Sequence, residues 1–105
     1  MKPELKAKWV ATLRSGNYSQ GKSCLRDRED NCCCLGVLCD ITEPSKWHRL
    51  DQALSWRHEA NRFDFPTEAL MKSWGLTGHQ AHKLASLNDH GATFTEIADY
   101  IEKNV

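Results

Sequence analysis

A chain of 105 residues with 14 basic and 14 acidic side chains is long enough for one self-sufficient core, so residues 1–105 read as a single domain. Zero formal charge supplies no global field to draw it to nucleic acid or an anionic membrane. No apolar run approaches the roughly 18 residues of a membrane span and Met1-Lys2-Pro3-Glu4 lacks the apolar core of a signal peptide, which predicts a cytoplasmic protein whose five cysteines stay reduced.

The elements follow from periodicity and punctuation. Pro3 suits the first turn of a helix whose Leu5, Trp9, Val10 and Leu13 share one face, and Gly16 ends it. Its other face is basic through Lys2, Lys6, Lys8 and Arg14. Residues 15–23 are turn formers and read as a loop, with Tyr18 pinning it to the core. Cys24-Leu25-Arg26 and Cys32-Cys33-Cys34 flank the charged Asp27–Asn31 segment, which predicts a hairpin with a polar tip. Leu35–Ile41 is a short, mostly apolar run that fits either a buried strand or a buried helix.

From Thr42 to Phe65 the pattern weakens; Leu50, Leu54 and Trp47 fit a loose helical face. Pro66 opens a helix through Leu70, Met71 and Trp74 that Gly75 stops in the left-handed region. Thr77 with Gln80 and Thr93 with Glu96 spell two capping boxes in front of apolar helical stripes. Asn88-Asp89-His90-Gly91 is a tight connection, so the last two helices are neighbours. The fold class expected is α+β, mostly helical, with one short hairpin or small sheet.

The run Cys32-Cys33-Cys34-Leu35-Gly36-Val37-Leu38-Cys39-Asp40 poses the main chemical question. A structural zinc site needs four converging ligands, usually from two closely spaced pairs. Three consecutive cysteines do not converge in an extended strand, and Cys34, Cys39, His79 and His82 form a set only by free choice. Free cysteine is among the most buried residue types, so these read as core residues, with no metal, cofactor or catalytic residue assigned. No nucleophile motif surrounds them, and the sequence places no histidine beside a thiol. A metal- or thiol-dependent enzyme is the third-ranked alternative. Asn88, Asp89 and His90 read as turn residues.

Nucleic-acid binding ranks second. Gly91–Ile101 resembles the first helix of a helix-turn-helix, but a recognition helix does not follow it; if Ala81–Leu87 is instead the first helix, the reader Phe94–Lys103 would present Glu96, Asp99 and Glu102 to phosphates. The basic N-terminal helix is the remaining candidate for single strands. Four tryptophans exceed what a small core needs. Trp47 and Trp56 lie in the least regular segment among His48, Arg49, Arg57 and His58, and tryptophan and arginine concentrate at the energetic centres of interfaces. These six residues are the candidate partner-binding set.

Three stretches carry a family likeness. Trp9-Val10-Ala11-Thr12-Leu13-Arg14-Ser15-Gly16-Asn17-Tyr18-Ser19-Gln20-Gly21, Cys33-Cys34-Leu35-Gly36-Val37-Leu38-Cys39-Asp40 and Leu87-Asn88-Asp89-His90-Gly91-Ala92-Thr93-Phe94-Thr95-Glu96-Ile97-Ala98-Asp99-Tyr100-Ile101-Glu102 resemble a family of small uncharacterised phage and prophage proteins. The resemblance names no chemistry; it implies a bacterial cytoplasm during infection or lysogeny, where small proteins of this kind often bind and block a host enzyme or defence complex. The function expected is thus a non-enzymatic accessory protein that engages a host or phage protein.

Overall fold

The chain's caps and apolar stripes set most of its architecture. A computed structural model describes residues 1–49, 53–59 and 62–105. Among them are five α-helices, α1 (Pro3–Arg14), α2 (Cys34–Thr42), α3 (Glu68–Trp74), α4 (Gly78–Asp89) and α5 (Phe94–Asn104), with a short 3-10 turn at Pro44–Lys46. Strands β1 (Trp47–His48) and β2 (Arg57–His58) pair antiparallel, with Trp47 opposite His58. The class is α+β, as the patterning predicts. No helix among the described residues is long and apolar enough to cross a membrane.

Local signals act where they are written. Proline begins α1, whose Trp9, Val10 and Leu13 are buried, and Gly16 follows its end at φ +78°. Both capping boxes form: the Thr77 and Thr93 hydroxyls accept the Gln80 and Glu96 N–H groups, and the two N3 side chains accept from the cap backbones, which satisfies donors that a helix leaves orphaned. The α3 boundary shifts. Thr67 takes the N-cap and Glu68 starts the helix, leaving Pro66 outside it, while Gly75 closes it at φ +74° as expected.

The ambiguous apolar run is a helix. Cys34 through Cys39 are all buried in α2, which packs against both α1 and α4. A helix buried all round shows no amphipathic period, which is why the sequence leaves strand and helix open for this run. It also shortens the expected hairpin. Arg26 pairs with Cys32 in a single antiparallel bridge, then Cys33 turns to cap α2 and its sulfur accepts the Gly36 N–H at 3.4 Å. The polar tip is a tight Asx turn: Asp27 Oδ1 accepts the Glu29 and Asn31 N–H groups, each at 2.9 Å. The loose helical face in the 42–65 region does not form either. Trp47 belongs to β1, Leu54 is 81% exposed in a bend, and Leu50 lies outside the described residues.

Two constraints seat α2. A Cβ at Gly36 would lie 1.8 Å from the Leu25 carbonyl oxygen, so only glycine lets the helix meet the Leu25 backbone. The second constraint is Asn88, fully buried near the end of α4. Its Oδ1 accepts from the Cys34 N–H at 3.2 Å and Gln20 Nε2 at 2.9 Å; its Nδ2 donates to the Gly21 carbonyl at 2.8 Å and to Asp89 Oδ1 at 3.4 Å. All four hydrogen-bonding positions of the carboxamide are used. Gln20 extends the network, donating to the Ala92 carbonyl at 2.8 Å and accepting the Phe94 N–H at 3.1 Å. Trp9 Nε1 donates to the Cys34 carbonyl at 3.0 Å.

Removing the carboxamide strands the Cys34 and Gln20 donors and the Gly21 carbonyl, and a buried unsatisfied group costs about 1–3 kcal/mol. Asn88→Ala is therefore expected to lower unfolding free energy by about 2–4 kcal/mol in urea titration. Asn17→Ala, at an exposed site, should stay within about 0.5 kcal/mol; equal effects would contradict the role given to Asn88.

Candidate functional site

The irregular segment after α2 is held by the same frame. Asp40, at the end of the cysteine run, accepts the Tyr18 hydroxyl in a short hydrogen bond and the Trp47 indole N–H at 2.9 Å. Tyr18 therefore pins its loop as the sequence suggests, and burial followed by the Asp40 hydrogen bond pushes its phenol above the ordinary range. Trp56 N–H donates to the Arg26 carbonyl at 2.9 Å and Leu25 N–H to the Phe63 carbonyl at 2.7 Å, while Asp27 bridges Ser55. The Leu25–Asp27 stretch thus carries both limbs of the segment.

On that base the aromatic and guanidinium groups interleave. The Arg26 guanidinium lies 4.2 Å from the Trp56 ring centre and 5.4 Å from that of Trp47, and Arg49 lies 5.1 Å from Trp56. Arg57 sits 4.7 Å from the Phe63 ring. Each such contact contributes roughly 0.5–2 kcal/mol, more as water is excluded. Arg26 also pairs with Asp30 at 2.9 Å, whereas Arg49 and Arg57 make no ion pair among the described residues.

The six predicted contact residues do not share one environment. His48 and Arg49 are exposed, and Trp47, Trp56 and Arg57 are partly buried. His58 is 1% exposed, edge-on to Trp47 at 4.5 Å, with its Nε2 3.0 Å from the Glu43 carbonyl; it supports the face from beneath. Leu54 and Phe63, at 81% and 43% exposed, are the surface residues that sequence reasoning missed. A single Leu or Phe in an irregular stretch carries no periodic signal, so only its exposure distinguishes it.

The cysteines lie elsewhere. Cys32, Cys33, Cys34 and Cys39 are buried, Cys24 is partly exposed, and all five are free thiols. Burial pushes Cys32 up to about 12 and Cys33 to about 11, and holds Cys34 and Cys39 well above the ordinary thiol value. Cys24 is raised too, first by burial and then by Asp27. Protonated thiols are poor nucleophiles. Cys34 donates to the Leu84 carbonyl at 3.6 Å inside the core, while His79 and His82 are exposed on α4. These four do not assemble as ligands, and among the described residues no group of three or more His, Cys, Asp or Glu is placed to hold a metal ion.

The basic face of α1 is partly occupied. Arg14 reaches Asp99 at 2.6 Å and Glu102 at 2.7 Å on α5, and Lys6 Nζ donates to the Glu102 carbonyl at 3.3 Å. The acidic residues that disfavour α5 as a nucleic-acid reader thus also draw cations of α1 into an intramolecular pairing.

The model of a family described as a domain of unknown function (DUF8296) matches residues 1–74, more than half of the chain. The chain belongs to that family. The matched stretch contains α1, the cysteine run, α2, the six predicted contact residues and α3, whereas Asn88 lies beyond it on α4. No curated protein and no solved structure gives a significant match.

The thiols make a pH prediction. A group whose pKa is higher folded than unfolded holds its proton more tightly when folded, so its contribution is complete below the unfolded value and is lost as pH rises through the folded value. Stability should be level up to about pH 8.5 and fall between 9 and about 12, the interval from the ordinary thiol to Cys32. Urea midpoints against pH check this, and a midpoint unchanged across that interval would contradict it. At neutral pH a thiol-specific reagent should label Cys24 first and the other four only on unfolding.

Proposed function

We propose that this DUF8296 domain works by stoichiometric binding: a phage- or prophage-encoded accessory protein that engages a host or phage protein in the bacterial cytoplasm and modulates it. The observation that carries this reading is the exposure of two large apolar side chains of the irregular segment, Leu54 at 81% and Phe63 at 43%, in the same stretch as the stacked Arg49–Trp56 and Arg57–Phe63 pairs. Burying Leu54 in an interface is worth roughly 1.5–3 kcal/mol, and tryptophan and arginine are the residues that dominate interface energetics. Arg49 and Arg57, which make no ion pair among the described residues, favour a partner whose apolar patch is rimmed by carboxylates.

The runner-up, a nucleic-acid module built on α1, has fewer cations to offer because Arg14 and Lys6 are engaged with α5, leaving exposed Lys2 and Lys8. The two readings separate in one co-purification series. Leu54→Asp and Arg49→Glu should each reduce capture of the wild-type partner by roughly tenfold or more with unchanged thermal unfolding, and Lys8→Glu should leave it intact. Capture that survives Leu54→Asp and fails with Lys8→Glu would overturn the protein-contact reading and place binding on α1.

A further inference from the structure

A cavity of about 570 Å³ opens where the Ser23–Cys24 loop, the cap of α2, residues 62–66, α3 and α4 meet. This is within the roughly 300–1,000 Å³ range of small-molecule sites. We propose that it binds a small organic cation with an aromatic or hydrocarbon body, of the aryl- or alkylammonium class. The inference is independent of the contact face and of any protein partner.

The lining divides by chemistry. Its wall is apolar and polarisable: the Cys33 and Cys24 thiols, Met71, Pro66, and Phe65 stacked on His82 with ring centres 4.4 Å apart and planes 17° apart. Cys33, Pro66 and Met71 are buried. The thiols keep their protons at neutral pH, since burial raises both, so they add soft contact surface without charge. Such a wall takes a ring or methylene body.

The charged lining has one sign in excess. Asp64, Glu68 and Asp89 face Arg62 as the one lysine or arginine in the lining, and Arg62 approaches Asp64 at 4.0 Å. In a chain of zero net charge this is a local concentration of negative charge at a concave surface, where field lines focus. Asp89 is held in place, its Oδ1 accepting the Ser23 N–H at 3.0 Å and the Asn88 Nδ2 at 3.4 Å. An anionic ligand such as a nucleotide would enter against three carboxylates. An ammonium group seated among them, with its body on the Phe65–His82 stack, matches both halves of the lining.

The test uses the full-length ¹⁵N-labelled protein and a charge-reversed pair of probes, phenylpropylammonium and phenylbutyrate. The cation should shift the amides of Cys24, Gly78 and Ala85 saturably, with Kd below about 1 mM, and slow alkylation of Cys24. The double variant Asp64→Asn, Glu68→Gln changes two exposed side chains and should weaken the cation at least about tenfold, with the rest of the spectrum unchanged. Phenylbutyrate binding as well as the cation, an affinity indifferent to the double variant, or no saturable shift up to about 10 mM would each overturn the proposal.

Discussion

Asn88 sits where three stretches remote in sequence have to meet, and its carboxamide bonds to all of them. The first N–H of α2 points into the interior, where water cannot reach it, and a helix cannot satisfy its own first donors. Asn88 Oδ1 accepts a hydrogen bond from that N–H and another from Gln20, and its Nδ2 donates one to the Gly21 carbonyl. The α2 N-terminus, the Gln20–Gly21 loop and the end of α4 are thereby fixed in one arrangement. Such a network is either fully satisfied or costly, so its loss is felt along the whole frame. Gly36 then sets the depth of α2 against Leu25, and the Leu25–Asp27 stretch carries the irregular segment on its exposed edge.

The three stretches quoted for the phage-protein likeness contribute residues to this junction. Gln20 and Gly21, Cys33 and Cys34, Asn88 and Asp89, and Phe94 converge there through backbone and side-chain bonds. Much of that sequence pattern is therefore scaffold. This gives a physical reason why that sequence pattern names no chemistry: it records how the domain is held together. The contact segment, hung on this scaffold by a few backbone bonds, has no repeating constraint of its own.

Legibility in the sequence followed the range of the interactions. The caps Thr77, Thr93 and Gly75 and the stripe of α1 act within a few residues, and each is where the pattern puts it, with α3 displaced only because Thr67 competes successfully with Pro66 for the helix start. What depended on remote partners was not legible. Asn88 reads as one more turn former because its partners lie 54 to 68 positions away. Residues 35–41 cannot be told from a strand, since all-round burial erases the helical period. Two-residue strands such as Trp47–His48 and Arg57–His58 leave no alternation to detect. Of the six contact residues, sequence could not separate His58, which lies inside, from Arg49, which lies outside, nor find Leu54 and Phe63.

The division between a rigid frame and a carried surface is open to one direct measurement: hydrogen exchange of the full chain, alone and with the protein partner proposed for it once co-purification has supplied one. The account predicts slow exchange at Gly21, Cys34 and Phe94 in both states and new protection confined to the described residues between 47 and 63. Fast exchange at those three amides in the free protein, or new protection centred on the basic face of α1 with the 47–63 segment unchanged, would contradict it.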